Sequence, residues 1–280
     1  MDQNKIDTGT YRVVAMYSKS QLAYKWFQYF IRASNGRGHG IHSPFVYKLV
    51  REVLNDQRLY YAYDKIEQVK KKLLRDERII PVFDLGAGST QIGNEEKKIS
   101  VIAGNAVSTQ KFGRLLFRLA NYYRAKTIIE MGSSLGISTA YLASADSSAR
   151  IITMEGSNAI AEIATETFHQ LGLKNIEQVN GKFEDGLANL IAVNPPADLV
   201  FLDGNHRKKP VLDYFEQFLN KLSPNALIII HDIHWSREME EAWAIIREHP
   251  KVKMSIDIFS AGLVFFREEF QVKQNFKIRF

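Results

Sequence analysis

The sequence contains no cysteine. Disulfides, thiolate nucleophiles and cysteine-ligated zinc are therefore excluded. Long apolar runs are missing as well. No stretch approaches the ~20 apolar residues that a membrane helix needs, and the opening residues, MDQNKIDTGT, lack the apolar core of a signal peptide. From these absences we expect a cytoplasmic, soluble protein with no membrane partner. No internal repeat or low-complexity segment is present.

What the chain does have is 45% apolar residues over 280 positions, enough for one large domain or for a domain with an extension. Its charge is uneven. Residues 1–126 carry 22 Lys and Arg against 11 Asp and Glu, a net of +11, whereas residues 127–280 carry 15 against 20, a net of −5. A basic, aromatic-rich front half can attract nucleic acid or an anionic substrate. It can equally be a set of solvated helix faces such as Lys70-Lys71-Lys72.

The most informative segment is TIIEMGSSLG, residues 127–136. A short β-branched strand ends in Glu130 and a loop with Gly132 and Gly136 follows. A small-residue helix, ISTAYLASA, then leads to a second strand, RIITME, that ends in Glu155. This is a βαβ unit, and ligands of such sheets bind at the carboxyl ends of the strands. Glycines let the backbone approach a ligand closely. An acid at the tip of the second strand can accept hydrogen bonds from both hydroxyls of a ribose. The spacing, E-x-G-x-x-x-G, is one glycine short of the dinucleotide fingerprint G-x-G-x-x-G. It suits a nucleoside without a pyrophosphate and argues against a nicotinamide dehydrogenase.

Helical spacing marks the front third: Leu22, Trp26 and Phe30, with Phe27 and Ile31, within residues 21–33. The glycine-rich SNGRGHGIHS follows, then Ser43-Pro44 as N-cap and first-turn proline of another helix. A third helix is expected after Asp64 and a fourth near 110–123. From residue 127 onward, strands are expected near 127–131, 150–155, 176–180, 198–203 and 226–232, with helices between them and at 236–248. Two closing strands, 251–259 and 262–267, join at Ser260-Ala261. Alternation of this kind predicts an α/β fold, a Rossmann-like doubly wound, mostly parallel seven-stranded sheet with a helical N-terminal extension. The last residues, QVKQNFKIRF, are candidates for an edge or interface strand. We divide the chain into an extension, residues 1–110, serving as substrate cap or lid, and a ligand-binding domain, residues 111–280.

The Glu130–Gly136 loop and Glu155 resemble motif I and the ribose-binding acid of the class I S-adenosylmethionine-dependent methyltransferases. The resemblance covers about residues 127–267. It implies S-adenosylmethionine as cofactor, with Glu130, Gly132, Ser133 and Gly136 at the methionine end, Glu155 on the ribose, Gly181 and Phe183 beside adenine, and Asp203 near the donor's amino group.

Asp203 closes the fourth strand in LVFLDGNHRKK, and Asp232 closes the fifth in LIIIHDIHW. Two carboxylates at adjacent strand ends can share a hard cation such as Mg²⁺. The pattern is similar to the catechol O-methyltransferase-like group, in which two acids and an asparagine hold Mg²⁺ and a lysine three residues past the first acid is the base. Here Ile233 stands at the asparagine and His206 at the lysine. The tentative metal ligands are thus Asp203 and Asp232, an incomplete set unless His231, His234 or water fills it. His206 and Asp203 are the catalytic candidates, since a histidine with the ordinary pKa of about 6.5 is mostly neutral at pH 7.

Two segments mislead. PVFDLGAGST, residues 81–90, looks like a glycine motif but lacks the strand-borne acid some 20–25 residues on; it is kept as a substrate-side loop through Asp84, Gly86 and Gly88. Asn194-Pro195-Pro196 is read as a turn. The expected function is O-methylation of a small-molecule acceptor. An RNA methyltransferase, or a non-catalytic cofactor-binding protein on the same fold, are the alternatives, and a homodimer is possible.

Overall fold

Each predicted strand from residue 127 onward forms, and together they build one sheet. The computed structural model describes residues 16–38, 40–83, 94–106 and 109–280. In chain order the helices are α1 (Lys19–Arg32), α2 (Pro44–Leu49, continued by a π-helical turn, Val50–Leu54), α3 (Tyr61–Leu73), α4 (Ile99–Ala106), α5 (Gln110–Tyr123), α6 (Ile137–Ala143), α7 (Asn158–Leu171), α8 (Phe183–Val193), α9 (Lys208–Phe218) and α10 (Arg237–Glu248). The strands are β1 (Ile79–Phe83), β2 (Asn94–Lys98), β3 (Thr127–Met131), β4 (Arg150–Glu155), β5 (Ile176–Asn180), β6 (Ala197–Leu202), β7 (Leu222–His231), β8 (Met254–Asp257), β9 (Ala261–Phe265) and β10 (Gln274–Lys277).

The main sheet has the order β10-β8-β9-β7-β6-β3-β4-β5. β3 pairs in parallel with both β4 and β6, and β6 with β7, so the order reverses at β3. β9 is antiparallel to β7 and to β8. The sheet therefore has eight strands rather than seven. The eighth is β10, which adds in parallel to β8 and converts the carboxyl-terminal segment into an edge.

Strand alternation sends side chains to opposite layers. Ile128, Ile151, Leu199, Leu227 and Ile229 pack under α5 and the α2 region. Ile129, Met131, Ile152, Val200, Ile228 and Ile230 pack under α8, α9 and α10. A third cluster joins α3, α4 and Val82 to Ile137, Ala140 and Tyr141 of α6 and Ile163 of α7. The front of the chain is thus seated on the sheet domain.

Local chemistry sets the helix starts. Ser18 caps α1 with a full capping box to Gln21, Ser43 caps α2 with Pro44 in the first turn, and Thr109 caps α5. The front region is not wholly helical: β1 and β2 form a separate antiparallel pair. The substrate-side loop expected at Asp84, Gly86 and Gly88 lies outside the described residues. No helix among the described residues is long and apolar enough to cross a membrane.

Candidate functional site

A cavity of about 750 Å³ opens at the carboxyl ends of β3, β4, β6 and β7. Gly132, Ser134, Glu155, Phe183, Asp203, His206, His231, Asp232 and Trp235 line it. Of the residues singled out from the sequence, Gly132, Glu155, Phe183, Asp203, His206 and Asp232 meet at this one cleft. Glu130, Ser133, Gly136 and Gly181 are not among its lining residues.

The loop after β3 is tightly built. Gly132 adopts φ +97°, and a Cβ there would stand 2.6 Å from the Asp203 carbonyl oxygen. Ser134, Asn205 and Asp232, all lining residues, also hold positive φ without being glycine, at 46°, 55° and 55°. Such conformations each cost on the order of 1–3 kcal/mol and collect at functional sites. Glu155 is locked at the tip of β4: its Oε2 accepts from the Ser134 amide at 2.9 Å and its Oε1 from the Ser157 amide at 3.0 Å. Phe183 meets Tyr214 edge-on with ring centroids 6.0 Å apart.

Several buried polar atoms around this loop have no partner among the described residues: Ser133 Oγ, Ser134 Oγ, Ser157 Oγ, Glu130 Oε1 and Asn205 Oδ1. Buried polar groups are nearly always hydrogen-bonded; two of these, on Ser134 and Asn205, belong to residues that line the cleft, which fits a polar ligand there. Glu130 lies just beneath, fully buried, with its Oε2 accepting from Thr153 at 2.6 Å and from Thr139. Burial pushes its carboxyl up to about 7 against the hydrogen bonds from Thr139 and Thr153. Between pH 4.5 and 7 the folded chain therefore holds a proton that the unfolded chain has released, and stability falls as pH rises through that window. Glu130→Gln is expected to flatten this slope, measured as the difference in denaturation midpoint between pH 5 and pH 7.5; an unchanged slope would show that another group sets it.

His231 closes β7 and stands between the two strand-end acids. Its Nδ1 is 2.7 Å from Asp203 Oδ1 and 3.7 Å from Asp232 Oδ2. Burial lowers the imidazole pKa, but the two carboxylates and the Asp203 hydrogen bond outweigh it and push the group up to about 9. His231 is thus an imidazolium at neutral pH. Its ring also packs on Phe112, 4.5 Å between centroids. His206 Nε2 lies 3.8 Å from the same Asp203 oxygen, and its ring lies 5.3 Å from that of Trp235.

The donor set does not fit the shared Mg²⁺ that the resemblance implied. Asp203 and Asp232 converge on the His231 ring, a nitrogen group in place of a third oxygen ligand. Ile233, at the asparagine position, is fully buried in the apolar core and offers no donor. His234 faces away from the pair: its nitrogens lie 3.0 Å from Glu240 Oε1 and 3.0 Å from Asp257 Oδ2. Among the described residues no group of three His, Cys, Asp or Glu side chains could hold a metal ion.

From the sequence, His231 stood as a residue flanking Asp232 and as one that could complete a metal ligand set, not as the partner of Asp203. Strand alternation was the available signal, because it puts residue 231 on the same face as Leu227 and Ile229, toward α5. The front region also contributes walls that periodicity could not reveal. Val82 and Lys97 of the β1–β2 pair, Val101, Ile102 and Asn105 of α4, and Phe112 of α5 all line the cleft.

Residues 129–233 match a family model described as a methyltransferase domain. The chain is 32% identical over 124 residues to a catechol O-methyltransferase of Niastella koreensis, covering 43% of this chain and 55% of that relative. It is 28% identical over 163 residues to a catechol O-methyltransferase of Mycobacterium tuberculosis, covering 55% and 72%. The chain thus spans about half the length of the first of these relatives. Among solved structures it resembles an O-methyltransferase from Bacillus cereus in complex with S-adenosylhomocysteine, at 19% identity and TM-score 0.54, covering 80% of this chain and 97% of that one. It also resembles an O-methyltransferase of Streptomyces achromogenes in complex with S-adenosylmethionine, at 21% identity and TM-score 0.54, covering 75% and 91%. The fold is that of the class I S-adenosylmethionine-dependent methyltransferases, and the sequence resemblance to their catechol O-methyltransferase-like group holds.

Proposed function

We propose that this protein methylates a hydroxyl group of a small aromatic acceptor, using S-adenosylmethionine and no divalent metal. The observation that carries the proposal is the meeting of Glu155 and the Gly132–Ser134 loop with Asp203, His206 and His231 in one cleft. Catechol O-methyltransferases among the relatives and donor-bound neighbours of the same fold support it.

When bound, the donor supplies a methyl group already activated on a sulfonium. The residues that would hold it are Glu155 at the ribose, Gly132, Ser133 and Ser134 at the amino-acid end, and Phe183 beside the base. What remains for the protein is to align the acceptor, exclude water and unmask its oxygen. His206 is the general base: it takes the hydroxyl proton at a ring nitrogen. The Asp203 carboxylate, 3.8 Å from its Nε2, acts through space on the charge that the ring gains with the proton. His231, an imidazolium, balances the charge of Asp203 and Asp232 and favours a developing oxyanion. Trp235, Phe112, Val101 and Ile102 give the acceptor side a flat, largely apolar lining suited to an aromatic ring. The β1–β2 pair and α4, within the extension expected to serve as a cap, wall the cleft on that side.

Thermal unfolding with S-adenosylhomocysteine, with NAD and with no ligand tests the cofactor. A ligand at 100 times its Kd adds roughly 2.7 kcal/mol, an upward shift of about 5 °C for a chain of this size. We expect that shift with S-adenosylhomocysteine alone. A shift with NAD and none with S-adenosylhomocysteine would overturn the proposal.

A further inference from the structure

On the face of α5 opposite Phe112 lies a second cavity, of about 320 Å³. It is lined by the 54–58 segment, Tyr63, Phe280 and four residues of α5, Gln110, Lys111, Arg114 and Arg118. Three of these are cations at i, i+3 and i+7, one helical face. Lys111 is exposed at the mouth, Arg114 is half-buried, and Arg118 is 8% exposed at the base.

These cations make no close ion pair with a described side chain, and Asp56 acts on Arg118 only at longer range. Arg118 donates only to main-chain oxygens, those of Asp56 and Arg114. Arg114 stacks over Tyr63 with its Cζ 4.9 Å from the ring centroid, and its Nε is buried with no partner among the described residues. Lys111 Nζ sits 4.2 Å above the Phe280 ring. None of the three makes a described ion pair. The carboxylate of the one acidic lining residue, Asp56, is already engaged by Arg58, at 2.8 and 2.9 Å, and by the Tyr60 hydroxyl at 3.1 Å. The cations also act on one another: burial and Arg118 together hold Lys111 below the usual lysine range.

A folded protein that brings like charges into a partly dry cavity loses free energy by it. A ligand carrying the opposite charge removes that cost. Two guanidiniums and an ammonium around one hollow match a dianion, and arginine forks match phosphoryl oxygens in particular. The volume is at the lower end for a small-molecule site, so it holds more than inorganic phosphate. The amides of Gln57 and Gln110 add neutral hydrogen-bonding groups to the lining.

We propose that this cavity, walled by Lys111, Arg114 and Arg118, binds a small phosphorylated molecule at a site separate from the methyl-transfer cleft. The two sites share α5. Thr109 and Phe112 line the first and Gln110, Lys111 and Arg114 the second, so occupancy of one is positioned to be felt at the other.

The test is thermal unfolding of the full chain at fixed ionic strength with sodium chloride, inorganic phosphate, pyrophosphate or a nucleoside monophosphate. It is run on wild type and on a Lys111→Gln/Arg114→Gln variant. We expect a phosphate-dependent rise of about 5 °C at saturating ligand in the wild type. The variant should show no such rise. Its unliganded midpoint should be unchanged or higher, because like-charge repulsion is relieved, and its response to S-adenosylhomocysteine should be intact. Equal stabilisation of both proteins by phosphate would overturn the proposal, as would none in either. So would binding of short RNA, lost in the variant, without any response to the small phosphates; that would make the surface a nucleic-acid contact. A variant that fails to fold is replaced by Arg114→Lys, which keeps the charge and removes the fork. Weakening of the phosphate response by about ten-fold is then expected, and an unchanged response would again overturn the assignment.

Discussion

Glu155→Ala is expected to weaken S-adenosylhomocysteine binding about 100-fold or more while leaving a folded protein. Hydrogen bonds to a charged group are each worth about 1.5–3 kcal/mol, and the proposed binding mode puts both ribose hydroxyls on the acid at the tip of β4. The same carboxylate fixes the Ser134 and Ser157 amides, so its loss also loosens the loop that faces the donor. Titration calorimetry checks the affinity, and unfolding without ligand checks the fold. Glu155→Gln separates the two effects: an amide oxygen can still hold one amide but receives a ribose less well. Affinity within a few-fold of wild type in both variants would remove Glu155 from the cofactor site.

The second large effect is expected at His231. His231→Ala leaves Asp203 without its 2.7 Å partner and removes the cation to which the proposal gives the developing oxyanion. Losing one preorganised stabiliser of a developing oxyanion costs about 10²–10³ in kcat. Donor affinity should change little, because Glu155 and the loop after β3 carry it. A pH signature accompanies this. His231 is raised in the folded state to about 9. Its contribution to stability is complete below the unfolded value of about 6.5 and is lost as pH rises through 9. The wild-type unfolding midpoint should therefore decline between pH 6.5 and 9.5, and His231→Ala should be flatter across that window. A variant with wild-type kcat, or with the wild-type pH slope, would assign the stabilisation elsewhere.

The sheet was legible because its strands are short β-branched runs separated by helices of ordinary length. The bounds read for β3, β4 and β5 match the structure, and those for β6 and β9 differ by one or two residues. β7 begins earlier than its apolar run because Leu222–Asn225, polar or proline-broken, still pair or lead into the edge of β6. β10 was harder to read. QNFK carries no alternation of its own and becomes a strand only because β8 offers it an open edge. The β1–β2 pair escaped notice for a related reason: NEEKK is wholly charged or polar, and its extended form comes from pairing with IIPVF.

The site divides in the same way. Glu155 and Asp203 were legible because an acid that ends an apolar strand has a fixed location in this fold. His231 was not, because its importance depends on a cross-strand distance to Asp203, and no sequence spacing encodes that. The tentative Mg²⁺ pair followed from the resemblance, and the buried Ile233 together with the imidazole between the acids is where the donor set departs from that pattern. Glu130 shows the opposite pattern. Its location at the end of β3 was plain, but its raised pKa arises from complete burial between Thr139 and Thr153, which only the packed structure reveals.

The central claim is methyl transfer to an aromatic hydroxyl without a metal. It is tested most directly by following isotopically labelled methyl groups from S-adenosylmethionine onto a panel of hydroxylated aromatics, in parallel with EDTA and with added Mg²⁺. The account predicts turnover on at least one acceptor at equal rates in both conditions, abolished in Glu155→Ala. Turnover that appears only with Mg²⁺ would contradict the role given to His231, and donor binding with no turnover on any acceptor would contradict the catalytic reading itself.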